Sequence, residues 1–123
     1  MRWRIQVERT QRPVAVEARI ARSWRSRLIG LLGRPALAEG EALVFPRCRS
    51  IHTIGMRVPI DAIFIDRDWR VVSLNTSLVP WRIVLPVWEA WGVIETNQGA
   101  VARTGVAVGD QLTLTPAMIH EPG

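Results

Sequence analysis

Hydrophobic and polar positions alternate from the first residues of the chain. Trp3, Ile5 and Val7 interleave with Arg4, Gln6 and Glu8, and Val14, Val16, Ala18 and Ile20 interleave with Ala15, Glu17 and Arg19. A repeat of two belongs to a strand with one buried face, so two strands joined by a turn near Arg12-Pro13 are predicted. The period then lengthens. Trp24, Leu28, Leu31 and Leu32 fall at i, i+4, i+7 and i+8, one face of a short helix that Ser23 is placed to cap and that Gly33 and Pro35 end. Gly30 inside that pattern predicts a close approach of the helix to a strand.

Further on, Ala42 to Phe45 reads as a short apolar strand and 46–55 as irregular chain. Ile60 to Ile65 is apolar on both faces except for Asp61, as expected of a strand at the centre of the core. Asp66 to Trp69 turns the chain and Arg70 to Leu74 returns as the hairpin partner. From Asn75 to Trp91 there is no period, with two prolines and three tryptophans, and a long connection lidding one end of the domain is predicted. Trp91 to Glu95 is a strand, Gly99 to Gly105 a single helical turn, and Gln111 to Thr115 the last strand. The tail from about Pro116, carrying His120, is expected to be loosely attached. These elements describe one domain over 1–123: mainly β, a sandwich or flattened barrel with one short α-helix packed on it.

Two acids break the apolar pattern and are the most informative polar residues. Asp61 and Glu95 each stand inside an apolar strand, and a carboxylate buried without a partner carries a penalty of several kcal/mol. Arg27, Arg34, Arg57, His52 and Thr53 are the candidate partners. The structural reading, a buried network of Arg27, Arg34, Asp61 and Glu95 that pins strand register, is preferred. The functional reading makes His52, Asp61, Glu95 and Trp81 the ligand-binding residues of a cleft beside the Trp-rich 75–91 connection. An enzyme using His52 with Asp61 or Glu95, with Cys48 as a thiol, is the alternative. No catalytic residue is assigned, because no third member of a triad and no nucleophile motif is present.

The runs RLIGLLGR (27–34), CRSIHTIGMRVPIDAIFIDRDWRVV (48–72) and VIETNQGAVARTGVAVGD (93–110) resemble the family called domain of unknown function 192. Arg27, Gly30, Leu31 and Arg34 match its R-x-x-G-L-x-x-R pattern, Asp61 its Pro-hydrophobic-Asp, Glu95 and Gly99 its V-L-E-x-x-x-G, and Gly109-Asp110 its closing Gly-Asp. The chain departs at Thr96-Asn97-Gln98, where a hydrophobe, Pro and Ala are usual, and at Trp69, a turn position that commonly carries Gly. The resemblance implies a mostly β sandwich or barrel with short helices. It brings no activity and therefore no catalytic residue.

Composition narrows the remaining classes. A mean hydropathy of +0.11 and 48% hydrophobic residues fit a folded chain, and no apolar run approaches the roughly 18 residues a spanning helix needs. The opening residues lack the apolar core of a signal peptide, so a cytoplasmic location without membrane insertion is expected. The net charge is +5, and residues 1–27 hold eight Arg against Glu8 and Glu17. All sixteen basic residues are Arg, a bias of the whole chain, and no nucleic-acid-binding motif accompanies them, which argues against a nucleic-acid partner. A small ligand or a protein segment is the candidate partner.

Cys48, His52 and Met56 are spaced four apart, and such a set suits Cu(I), or Zn with an acid in place of Met. In an extended strand four residues span about 13 Å, too far for one metal. Packing is therefore preferred for Cys48 and Met56, with neither a metal nor a cofactor assigned. Arg47 and Arg49 beside Cys48 favour its thiolate, the single feature in favour of a reactive cysteine.

Overall fold

The structure is a computed structural model that describes residues 2–21, 37–53 and 58–117. Seven strands form one sheet: β1 (Arg2–Val7), β2 (Pro13–Ile20), β3 (Glu41–Pro46), β4 (Ile60–Ile65), β5 (Val71–Leu78), β6 (Gly92–Asn97) and β7 (Leu112–Pro116), with a short helix α1 (Ala100–Thr104) before the last. Their order across the sheet is β5-β4-β6-β3-β2-β1-β7. Every neighbouring pair is antiparallel except β2 and β3. That parallel pair needs a crossover, and the chain between them is longer than any hairpin loop. The helix expected between Ser23 and Gly33, with Arg27, Gly30 and Arg34, lies outside the described residues.

Of the two predicted arrangements, sandwich or flattened barrel, the sheet adopts the curled one. All seven strands contribute to a single interior cluster that includes Ile5, Val14, Val44, Ile63, Val71, Ile94 and Leu112. The two edges of the sheet meet at one corner, where Val71 N–H donates to Asp110 O at 2.9 Å and Leu112 N–H to Trp69 O at 2.9 Å. The result is half of a barrel pinned shut at one end. Closure of this kind removes part of the exposed edge that an open sheet would present.

A second cluster lies on the outer face. Ile60, Ala62, Phe64 and Val93 project away from the interior and are covered by Ile51, Ala90, Val84 and Val87 from the segments 47–53 and 79–91. Strand β4 is therefore buried along its whole length, which is why its sequence reads apolar on both faces. The covering segments hold each other: Val84 N–H donates to Ile51 O at 2.9 Å and Val87 N–H to Arg49 O at 2.8 Å.

Three expectations change. Strand β5 runs to Leu78, so the long connection begins at Val79 rather than at Asn75. Val16 does not share the buried face of Val14 and Ala18; it is 45% exposed, because Trp3 faces Ala18 while Ile5 faces Ala15, and this bulge shifts the alternation by one residue. The final strand extends through Pro116, and Ala117 N–H donates to Arg2 O at 3.0 Å, which ties down the start of the expected tail. Trp69 has a φ of +65°, the left-handed region in which glycine is unstrained, so the usual glycine of that turn has a direct backbone reason.

Candidate ligand-binding cleft

The two buried acids do not share a site. Along β4, Asp61 lies on the face of Ile63 and Ile65, which belong to the interior; along β6, Glu95 lies on the face of Val93, which belongs to the outer cluster. The carboxylates thus point to opposite sides of the sheet although their strands are neighbours.

Asp61 is buried and its oxygens meet backbone amides. Oδ1 accepts from Ser77 N–H at 2.9 Å, and Oδ2 accepts from Gly99 N–H at 3.2 Å and from Val101 N–H at 3.0 Å. Each donor is an amide that the local backbone leaves without a ladder partner. Ser77 sits in a bulge, since Ile60 faces Leu78 and Ala62 faces Asn75, leaving two β5 residues opposite Asp61. Gly99 and Val101 open helix α1, whose first amides have no intrahelical acceptor. Gly99 carries a φ of +92° and no side chain that could cap them, so Asp61 caps the helix from across the fold.

Among the candidate partners proposed for these acids, His52 and Thr53 are not those of Asp61, and Arg27, Arg34 and Arg57 lie outside the described residues. Backbone amides that converge only after folding leave no mark in a sequence. Glu95 is fully buried between Leu43 on β3 and Ala62 on β4.

The other expected site residues are scattered. His52 is exposed and pairs with Ile83 across an isolated bridge. Trp81 is exposed, and Cys48 is half buried with its Sγ donating to Ser50 O at 2.8 Å. Met56 lies outside the described residues. Among the described residues no group of three or more His, Cys, Asp or Glu side chains is placed to hold a metal.

A cleft forms instead at the opposite end of β4, about 13 Å along the strand from Asp61. Three segments meet there: Arg47–Arg49 leaving β3, the hairpin turn Asp66–Trp69, and Trp88–Trp91 entering β6. The cleft has a volume of about 700 Å³ and is lined by Arg47, Arg49, Arg67, Asp68, Glu89 and Trp88 among others. Its walls are well fixed. Cys48 N–H donates to Trp91 O at 2.9 Å and Trp91 N–H to Ile65 O at 2.7 Å, while Arg49 Nε donates to Ala90 O at 3.1 Å. Asp66 Oδ1 accepts the amides of Asp68 and Arg70, each at 2.9 Å, and so sets the shape of the turn that carries Arg67. Trp69 and Trp91 meet beneath it with ring centroids 6.5 Å apart at 56°.

The side chains facing the cleft are left with interaction capacity. The guanidinium groups of Arg47 and Arg67 have no hydrogen bond or ion pair among the described residues, and Trp88 is 72% exposed. None of His52, Asp61, Glu95 and Trp81 lines this cleft, and neither do they line a smaller one of about 440 Å³ beside Val14, Gly40 and Arg103. The cleft at the far end of the sheet is therefore a further candidate beside the one expected near His52 and Asp61. The sequence signal was present in Arg47, Arg67 and Trp88, but no motif links three residues that only a hairpin turn and two loops bring together.

A model of the DUF192 family, described as Uncharacterized ACR, matches residues 5–114. The chain belongs to this family. It is 33% identical over 102 residues to a UPF0127 protein of Pyrococcus furiosus, covering 80% of this chain and 87% of that one. A UPF0127 protein of Pyrococcus horikoshii is 37% identical over 99 residues, with 78% and 85% covered. Among solved structures, a candidate transcription regulator of Sinorhizobium meliloti 1021 superposes with a TM-score of 0.76 at 25% identity, covering 92% of both chains. A Novosphingobium aromaticivorans protein of unknown function superposes with a TM-score of 0.75 at 24% identity, covering 92% of this chain and 84% of that one. The curled, mainly β fold with a short helix is thus shared with these two solved structures, and the family is one of unknown function. Among the described residues no helix is long and apolar enough to cross a membrane.

Proposed function

We propose that this DUF192 chain is a non-enzymatic binding module, and that the cleft between Arg47, Arg67 and Trp88 receives a small ligand carrying a carboxylate or phosphate joined to a flat apolar group. One observation carries the reading: two guanidinium groups with no partner among the described residues line, together with an exposed indole, a cleft of ligand size. Guanidinium binds planar anions through paired N–H donors, and the face of an indole takes a flat apolar group. Asp68 and Glu89 on the same rim set the orientation, because they repel the anionic end and leave it the Arg47 and Arg67 side.

The test is a tryptophan-fluorescence titration with phenyl phosphate and with benzoate, using benzyl alcohol as the uncharged control. Saturable quenching by the two anions, weakened at least tenfold in an Arg47→Ala, Arg67→Ala variant and absent from Trp88→Phe, is expected. A linear response to all three compounds sinks the proposal.

The Sinorhizobium neighbour's description raises nucleic acid as a partner. In this chain two arginines of the basic N-terminal region are already held in ion pairs. Arg2 pairs with Glu17 at 3.3 Å and Arg9 with Asp110 at 2.9 Å, and the small-ligand reading is preferred.

A further inference from the structure

The connection between β5 and β6 presents a second feature, distinct from the cleft. Trp81, Ile83 and Leu85 alternate outward and are 69%, 75% and 82% exposed, while Val84 between them packs on the outer core. Large apolar side chains this exposed, in a continuous row, are uncommon on a monomer.

The backbone beneath the row has an open edge. The segment is bonded to 49–53 through Arg82 O and Val84 N–H, so Ile83, bridged to His52 between those bonds, turns its own N–H and C=O the other way. Neither group has a partner among the described residues, and the Leu85 amide has none either.

Trp81 adds backbone strain. Its N–H donates to Thr53 O at 2.9 Å while Arg82 O accepts from Thr53 N–H at 2.8 Å, so Trp81 and Arg82 together oppose Thr53, and Trp81 has a φ of +67°. That is the bulge position glycine ordinarily fills, and a tryptophan there costs about 1–2 kcal/mol. Strain held in place to display an exposed indole marks a contact surface.

We infer that this surface pairs with a second copy of the chain, antiparallel about a two-fold axis through Ile83. Three properties of the segment select this occupant. The sequence Pro80-Trp-Arg-Ile-Val-Leu-Pro86 is balanced about Ile83: antiparallel pairing sets Ile83 opposite Ile83 of the second copy, Trp81 opposite Leu85, and Pro80 opposite Pro86. Ile83, with both backbone groups unpaired among the described residues, forms the mutual pair of hydrogen bonds that an axis position requires. The prolines end the pairing on both sides, which closes it at two copies instead of letting strands add without limit. Charge decides against other partners: Arg82 is the one charged residue in 79–88, so the row lacks the cation cluster that an anionic bilayer or an acidic protein would select and matches a near-neutral apolar surface like its own.

Sedimentation equilibrium of the full chain, from micromolar to submillimolar concentration, tests the inference. A concentration-dependent dimer is expected. Ile83→Asp and, separately, Leu85→Asp weaken it at least tenfold, whereas Val108→Asp, at an exposed apolar residue outside the row, leaves it intact. Both row variants keep the wild-type melting temperature and the phenyl phosphate titration, so failure of this inference is distinguishable from failure of the binding reading. A wild-type chain that stays monomeric throughout overturns the pairing, as does a dimer that survives both row substitutions. A monomeric chain that instead sediments with phosphatidylglycerol vesicles assigns the row to a lipid surface and overturns it as well.

Discussion

Asp61 and Arg67 lie at opposite ends of the β4–β5 hairpin and have opposite fates. The carboxylate is buried and takes three backbone amides from two other parts of the fold. The guanidinium stands over an open cleft with no partner among the described residues. A polar group whose hydrogen bonds are completed inside the fold contributes to stability and has little left to offer a ligand. One that the fold holds in place but leaves unsatisfied is available for binding. The contrast assigns stability to the Asp61 end and recognition to the Arg67 end, and substitutions at the two ends should separate accordingly.

The largest effect is expected at Asp61. Asp61→Asn replaces one acceptor oxygen by an amide that faces other N–H donors, which costs about 3 kcal/mol. Urea denaturation should show this as a lower midpoint, and hydrogen exchange should show faster exchange at Ser77, Gly99 and Val101. A midpoint equal to wild type would remove Asp61 from the stability end.

Next is Thr53, the residue that fastens the Trp-rich connection to the outer face. Its hydroxyl donates to Val79 O at 2.7 Å and accepts from Arg82 N–H at 2.8 Å. Thr53→Val keeps the shape and loses both bonds, lowering stability by about 1–2 kcal/mol with exchange loosened around Trp81.

Acid should act on the closed corner of the barrel. The Arg9 side chain, through its hydrogen bond at 2.9 Å, holds the Asp110 carboxyl below its ordinary value against the opposing effect of burial, and the Ala107 amide lowers it further. A carboxyl depressed in the folded state stabilises the fold above its unfolded pKa, and this stabilisation is lost as pH falls toward the folded value. Melting temperature should therefore fall below about pH 4, and Asp110→Asn should flatten that acid limb. An unchanged acid limb would mean that the corner does not depend on the ion pair.

The smallest stability effects belong to the recognition end. Arg47→Ala with Arg67→Ala should shift stability by less than about 0.5 kcal/mol while reducing anion binding. Outside the cleft, Trp81→Gly should likewise leave stability within about 1 kcal/mol of wild type, because relief of the left-handed backbone offsets the added freedom of glycine in the unfolded chain. A large loss in the Arg47, Arg67 variant would break the separation of the two ends.

The sequence by itself determined the elements whose cause is local. Period-two alternation marked β1, continuous apolar character marked β4 as central, and Asp66 to Trp69 marked a hairpin turn, because side-chain burial on a strand repeats every two residues whatever it packs against. The family resemblance was legible in the Gly, Asp and Arg positions of three separate runs. Asp61 and Glu95 stood out as well, since an acid in an apolar strand carries its penalty visibly.

Tertiary structure decided the rest. Which amides answer Asp61, which face each acid takes, and the meeting of Arg47, Arg67 and Trp88 depend on bulges at β2 and β5 and on the closing of the sheet at the Arg70–Gln111 corner. A single added residue reverses every side chain beyond it, and contacts between distant segments follow from sheet curvature. Neither is encoded in a short window of sequence, so the positions of the acids could be read in advance while the place of the cleft could not.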